Sequence, residues 1–217
     1  MADANNVKYG FYYIDREYLD KLHEGDTHVP KHNYEDEGRS RKYYCGPVMN
    51  EFGVNYFVPV SSQTGKDDMI IPGSAYNGAV EHFGILLPDE KGHSKGGSNL
   101  DFRFMIPCVN SELLTPMAPK SNYAKNQAKF CMSNEKRICR EAYDTYQNIQ
   151  SGEYSFLNES AINQQAVYDK MWEYEDILET RREIKEKRAK MTARASETSR
   201  IAPNESVVSS DLENQRT

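Results

Sequence analysis

The chain has 217 residues, 28% of them charged, and a net charge of -6 from 27 basic and 33 acidic side chains. That length fits one domain with appendages, or at most two small domains, and is enough to bury a sizeable core. No apolar run approaches the roughly 18 residues that span a bilayer, and the polar opening MADANNVKYG lacks a secretory signal's apolar segment, so a cytoplasmic location is expected.

Taken in order, Val7 to Ile14 is rich in aromatic and β-branched residues and predicts an opening strand. Asp15 stands three residues before Tyr18, as a cap for a short helix from Arg16 to Leu22 that Gly25, Asp26 and Pro30 terminate. His23, His28 and His32 have no i,i+4 frame and no convincing carboxylate partners, which argues against a metal site. The scattered Cys45, Cys108, Cys131 and Cys139 read as free thiols in a reducing compartment.

From Arg39 to Lys66 the chain reads RSRKYYCGPVMNEFGVNYFVPVSSQTGK. Strand-like runs at Tyr43 to Met49 and Val54 to Val60, separated by a turn at Asn50 to Gly53, predict a β-hairpin. Arg39, Arg41 and Lys42 lead into its first strand, and Ser61, Ser62 and Lys66 follow its second. Hydroxyls and amines brought to one hairpin end suit a solvated loop and a phosphate-holding site equally well.

After Met69 to Pro72, a short apolar piece, Val80 to Leu87 predicts a strand containing His82, which reads as structural. The glycine pair in DEKGHSKGGS lacks the full phosphate-loop and dinucleotide patterns. Leu100 to Val109 predicts a single core strand, with Pro107 marking a bulge or its end. From Leu113 to about Ile149 apolar and mixed residues recur at near-helical spacing, with Lys125, Lys129, Lys136 and Arg140 outward and Gly152 as the break. The stretch 120–140 holds six basic residues and one acid, a local basic patch in an acidic chain. A further helix is expected over Ser160 to Ile177 with a charge-laced extension toward Lys190, and Thr192 to Thr217 has the composition of a disordered tail. The resulting architecture is α+β, an antiparallel sheet covered by helices, with the main domain over 1–178 and the extension and tail over 179–217.

No serine elbow, zincin spacing, cysteine pairing or carboxylate pair is present. The Lys, Arg, Ser and Tyr around the hairpin suit RNA, which carries its own nucleophile in the 2′-hydroxyl. A protein need only align that hydroxyl with the phosphate, stabilise the phosphorane charge and protonate the departing 5′-oxygen. A phosphate-binding module and a plain structural domain remain alternatives on these residues alone.

The ordered set Phe11-Tyr12-Tyr13-Ile14, Tyr18-Leu19, the Asp26 to Pro30 loop, Lys42-Tyr43-Tyr44-Cys45-Gly46, Tyr56 to Ser62 with Lys66, and Leu100 to Pro107 resembles the endoribonuclease toxins of type III toxin–antitoxin systems, the ToxN, AbiQ and CptN proteins. The resemblance covers about residues 7–150 and weakens toward 178. It implies a compact, highly twisted antiparallel sheet like that of the Kid and MazF toxins, with added helices. It implies RNA cleavage without metal or other cofactor, giving 2′,3′-cyclic phosphate and 5′-hydroxyl ends. The implied partners are a repeated pseudoknot RNA antitoxin, which the toxin processes and which occupies its groove in closed assemblies, and cellular or phage mRNA as substrate, with no membrane.

The family's strand-end hydroxyl pair falls on Ser61 and Ser62, its following lysine on Lys66, and the basic residue before the hairpin on Lys42. Its tyrosine matches Tyr34 best, with Tyr43 or Tyr44 in reserve. Gln63, Thr64 and Gly65 make the turn before Lys66 longer than the family's single residue, which keeps a catalytically weak or inactive RNA-binding relative as the alternative. In a protein that holds structured RNA, Arg39, Arg41, Lys120, Lys125, Lys129 and Arg140 become expected phosphate contacts. Tyr12, Tyr56, Phe57, Phe102 and Phe104 are expected in the sheet core rather than as base-stacking platforms.

Overall fold

Strand β1 (Gly10–Ile14) ends at Asp15, whose carboxylate accepts the Tyr18 backbone N–H at 3.1 Å and caps helix α1 (Arg16–Gly25). The cap satisfies one of the amides that every helix start leaves unbonded. Tyr18, Leu19 and Leu22 are buried, and the Tyr18 hydroxyl donates to the Pro107 carbonyl at 2.5 Å, tying α1 to the sheet. The computed structural model describes residues 7–30, 43–61, 84–88, 90–91, 98–151 and 161–201. Accordingly His32, His82, the 69–72 piece and the glycine pair lie outside the described residues.

The hairpin forms as β2 (Tyr44–Glu51) and β3 (Val54–Ser61). Its turn is tighter than the sequence suggests: only Phe52 and Gly53 are left between strands, at φ of 49° and 83°. Two left-handed residues make the mirror-image turn whose twist matches the flanking strands. The Asn50 amide donates to the Asn55 side-chain oxygen at 2.8 Å and carries the pairing out to Glu51 and Val54. Phe52, 94% exposed, holds that conformation without packing to offset it. In β2 the register shifts between Cys45 and Met49. A Cβ on Gly46 would stand 2.7 Å from the Phe57 ring and 2.9 Å from the Tyr56 carbonyl, so a glycine is required there.

The remaining strands are β4 (Gly84–Leu87), β5 (Ser98–Asp101), β6 (Ile106–Cys108) and β7 (Leu114–Pro116). Among the described residues they complete a seven-stranded antiparallel sheet in the order β4-β5-β3-β2-β1-β7, with β6 pairing beside β3, and this sheet does not close on itself. The expected single strand from Leu100 to Val109 is instead two strands. Asp101 accepts the Arg103 backbone N–H at 3.1 Å and holds its guanidinium at 2.7 Å, bending Phe102–Phe104 into a 3-10 turn between β5 and β6. β3 is long enough to pair with both pieces: its first half with β6, its end with β5.

The helical stretch beginning near Leu113 is likewise divided. Leu114–Pro116 joins the sheet edge beside β1, and the helices are α2 (Asn122–Ser133) and α3 (Glu135–Ser151), with Asn134 as the C-cap between them. Helix α4 (Gln164–Ile201) follows, reaching into the expected disordered tail; 202–217 lie outside the described residues. Gln127 and Cys131 of α2, Ile138, Ala142 and Tyr146 of α3, and Val167 and Met171 of α4 are buried. Each fully buried large apolar side chain contributes about 1.5–3 kcal/mol relative to exposure. Phe57 and Phe102 are fully buried, and Tyr12 and Tyr56 nearly so, as core residues of the sheet; Phe104 is half-buried. The α+β antiparallel architecture expected from the sequence is the one formed. By contact the chain divides into two units, Met1–Glu175 and Asp176–Thr217. Among the described residues no helix is long and apolar enough to cross a membrane.

Candidate active site

Ser61 is the last residue of β3 and is half-buried. Of the residues that the sequence places around it, Ser62, Lys66, Lys42, Tyr34, Arg39 and Arg41 lie outside the described residues. What the structure adds is the surroundings of Ser61 and the framework that fixes the strand end.

Ser61 pairs directly with Asn99 of β5, and Val60 with Leu100. Residues opposite one another in an antiparallel pair share a sheet face, so Ser61 and Asn99 project to the same side. Asn99 is 3% exposed, and its side-chain oxygen accepts no hydrogen bond from any described residue. Buried amide oxygens are nearly always satisfied. An unmet acceptor beside a strand-end hydroxyl therefore makes this end of the strand pair polar, while Phe57 farther along the same face is fully buried. Nothing local in the sequence singles out Asn99, because its position depends on which strand pairs with which.

Tyr44 pairs with Pro59, two residues before Ser61, and so lies on the same face. Tyr43 projects to the other face. There its hydroxyl donates to the Gln127 side-chain oxygen at 2.6 Å, and burial pushes its pKa well above the ordinary phenol value. The two reserve tyrosines are thus separated: Tyr43 is a half-buried strut toward α2, whereas Tyr44 shares the Ser61 face and is fully buried. The strut continues, as the Gln127 amide donates to Ser98 Oγ at 2.5 Å, and Ser98 Oγ and Tyr123 Oη lie 2.6 Å apart. Gln127 is fully buried, and this chain locks α2 to the starts of β2 and β5 behind the Ser61 end of the hairpin.

Lys120 is exposed ahead of α2, Lys125 and Lys129 are exposed one turn apart on α2, and Arg140 is exposed on α3. With 3.6 residues per turn, Lys125 and Lys129 face away from Gln127. They form a strip on the helix-covered side of the sheet, apart from the face that carries Ser61. Of the loop histidines, His23 Nδ1 lies 2.6 Å from the Val29 carbonyl and His28 Nδ1 2.8 Å from the Asp26 carboxylate. Both are engaged in closing the turn after α1. Among the described residues no group of three His, Cys, Asp or Glu side chains is placed to hold a metal.

Three solved structures of similar fold come from one field. A toxin of bacterial type III toxin-antitoxin systems, selectively inhibited by a non-coding RNA pseudoknot, is 20% identical with a TM-score of 0.61, covering 78% of this chain and 99% of its own. AbiQ, a lactococcal anti-phage endoribonuclease of the type III class, is 17% identical with a TM-score of 0.63 over the same shares. A protein of a bacterial antiviral system regulated by a processed non-coding RNA is 22% identical, with a TM-score of 0.53, covering 69% of this chain and 95% of its own. No protein of curated function matches the sequence. The family model for the toxin ToxN of the type III toxin-antitoxin system matches residues 10–174, most of the chain and every strand of the sheet, and this protein is therefore a member of the ToxN toxin family.

Proposed function

We propose that this ToxN-family toxin is an endoribonuclease held in check by a structured antitoxin RNA, and that its catalytic unit is residues 1–178. The observation that carries the reading is Ser61 at the end of β3, paired with the buried Asn99, within a chain whose family match spans the whole sheet. The similar folds of a pseudoknot-inhibited toxin and of an anti-phage endoribonuclease point the same way.

In the reaction the RNA supplies the nucleophile. The 2′-oxygen attacks the adjacent phosphorus and gives up its proton, while the bond from phosphorus to the 5′-oxygen breaks and that oxygen takes a proton. The products are a 2′,3′-cyclic phosphate and a 5′-hydroxyl, with atoms and charge balanced and no metal needed for any step. Ser61 and Ser62 orient the phosphate oxygens and the nucleophilic side of proton transfer. Lys66 and Lys42 stabilise the charge that grows on the phosphorane, where a fixed cation is worth most. Tyr34, or Tyr44 from the Ser61 face, lies on the proton-transfer side. Arg39, Arg41, Lys120, Lys125, Lys129 and Arg140 contact phosphates of the antitoxin or substrate RNA. The partner is a repeated pseudoknot RNA that the toxin cuts from its precursor and then retains, alternating with toxin copies in a closed assembly, and the target is cellular or phage mRNA.

Incubation with RNA in the presence of a chelator, followed by analysis of the ends, tests this reading. Cyclic-phosphate and 5′-hydroxyl ends are expected from the wild type, and a loss of cleavage on the order of a hundredfold or more in Ser62→Ala or Lys66→Ala. Undiminished cutting by both variants overturns the site. Tight RNA binding without cutting in the wild type favours the non-cleaving relative, for which the long Ser62–Lys66 turn is the specific reason.

A further inference from the structure

Gln127 stands near the middle of α2 and is fully buried, an amide in a place where an apolar side chain would pack as well. Helix α2 is fixed at both ends: Ser121 Oγ accepts the Ala124 N–H at 3.1 Å, and the Asn134 side-chain amide donates to the Phe130 carbonyl at 2.8 Å. A group carried on that helix is therefore a fixed point above the sheet. From it the Gln127 side-chain oxygen accepts from Tyr43, just ahead of β2, and its amide donates to Ser98, the first residue of β5. In the sheet β2 and β5 are both neighbours of β3. One side chain thus straps the strands on either side of the strand that ends in Ser61.

The strap lies level with that strand end. The Tyr43 carbonyl accepts the Val60 N–H at 2.9 Å, Val60 pairs with Leu100, and the residue after Ser98, Asn99, pairs with Ser61. In the sequence Tyr43 directly follows Lys42, and Ser62 directly follows Ser61. Apolar contact between α2 and the sheet would stabilise the pair without fixing its alignment, because burial of apolar surface has no direction. Hydrogen bonds of 2.6 and 2.5 Å instead set two strands at a defined spacing against a rigid helix. Such bonds add little net stability, and a satisfied buried network acts chiefly by specifying geometry.

We propose that Gln127 is a positioning residue for RNA cleavage: it holds the β2 and β5 ends in alignment around Ser61, so that the groups the reaction uses meet one phosphate in line. Being fully buried, it touches no RNA itself. The inference rests on the reading above that the Ser61 strand end is the ribonuclease site. In-line attack is steep in position, and a displacement of about 1 Å costs on the order of a hundredfold in rate. Strand pairing limits the movement that follows loss of the strap, so the expected cost is on the order of tenfold.

The test uses the full chain and an RNA that the wild type cleaves. The variants are Tyr43→Phe, Gln127→Met, Ser98→Ala and the combined set, in which apolar groups of similar shape replace all three and orphan none of them. Melting curves, kcat and KM for cleavage, and binding of a 2′-O-methyl copy of the RNA, which supplies no 2′-hydroxyl, are measured for each. The combined set is expected to melt within a few degrees of the wild type and to bind the copy equally well. Its kcat is expected to fall on the order of tenfold with KM unchanged. Because the three groups act as a unit, each single variant is expected to lose about as much kcat as the set. Wild-type kcat in a set that melts like the wild type makes the network a stability element and overturns the proposal. A loss of affinity equal to the loss of rate overturns it too, as does a loss confined to Tyr43→Phe, which assigns the effect to that phenol. Should the set melt below the assay temperature, Ser98→Ala alone is read against the same outcomes. Each of these contrary results leaves the ribonuclease reading standing, whereas no cleavage by the wild type overturns both.

Discussion

Asn99 keeps a buried amide oxygen without a described donor while facing Ser61 across a strand pair. Leaving such an acceptor unmet costs about 1–3 kcal/mol, and a position with only a packing role would gain by losing the group. The two roles therefore predict opposite outcomes. If Asn99 receives a hydrogen bond from Ser61 or from bound RNA during turnover, Asn99→Ala leaves the melting temperature unchanged or raises it while RNA cleavage falls on the order of tenfold. Paired thermal-melt and cleavage-rate measurements check this, and full activity in a stabilised variant removes Asn99 from the site. Ser61 was legible in the sequence because it ends a strand-like run that follows a glycine-containing turn. Asn99 was not, since only the pairing of β3 with β5 gives it a role, and that pairing is non-local.

At the scale of elements, Asp26 joins the end of α1 to the start of α4. Its carboxylate accepts the Asn163 backbone N–H at 2.6 Å and the His28 backbone N–H at 2.8 Å, and the Asn163 side chain in turn caps α4 by accepting the Ala166 N–H at 3.1 Å. Burial pushes the Asp26 carboxyl upward, but these bonds to the ionised form outweigh it and hold its pKa below the ordinary carboxylate value. A depressed folded value contributes stability that is fully present above the unfolded pKa and lost as pH falls through the folded one. Asp26→Asn is thus expected to lower the melting temperature by a few degrees at about pH 7, with the difference shrinking as pH falls below the ordinary carboxylate range. A constant difference across that range places the effect in packing rather than in the charge. The sequence located α1, its Asp15 cap and the hairpin, where a capping residue and a glycine-containing turn are local signals. It merged β5 with β6 and α2 with α3, because the Asp101–Arg103 turn and the Asn134 cap interrupt patterns that are apolar on both sides.

At the scale of the whole molecule, the antiparallel α+β class followed from the order of strand-like and helix-like segments. The strand order did not, since it is set by contacts between distant parts of the chain: β1 lies between β2 and β7, and β3 touches β2, β5 and β6. The hairpin is central in that order, and its Ser61 end meets the β5 edge of the pairing, with the Gln127 strut behind it. This arrangement gives the proposed chemistry a rigid strand end rather than a loop to work from. The reaction itself is tested most directly by a single 2′-deoxy substitution at the cut nucleotide of an RNA that the wild-type protein cleaves. Direct 2′-oxygen attack predicts that the substituted strand binds with little change in affinity and is not cut at that position. Cutting at the deoxy position, with any end group, contradicts the account.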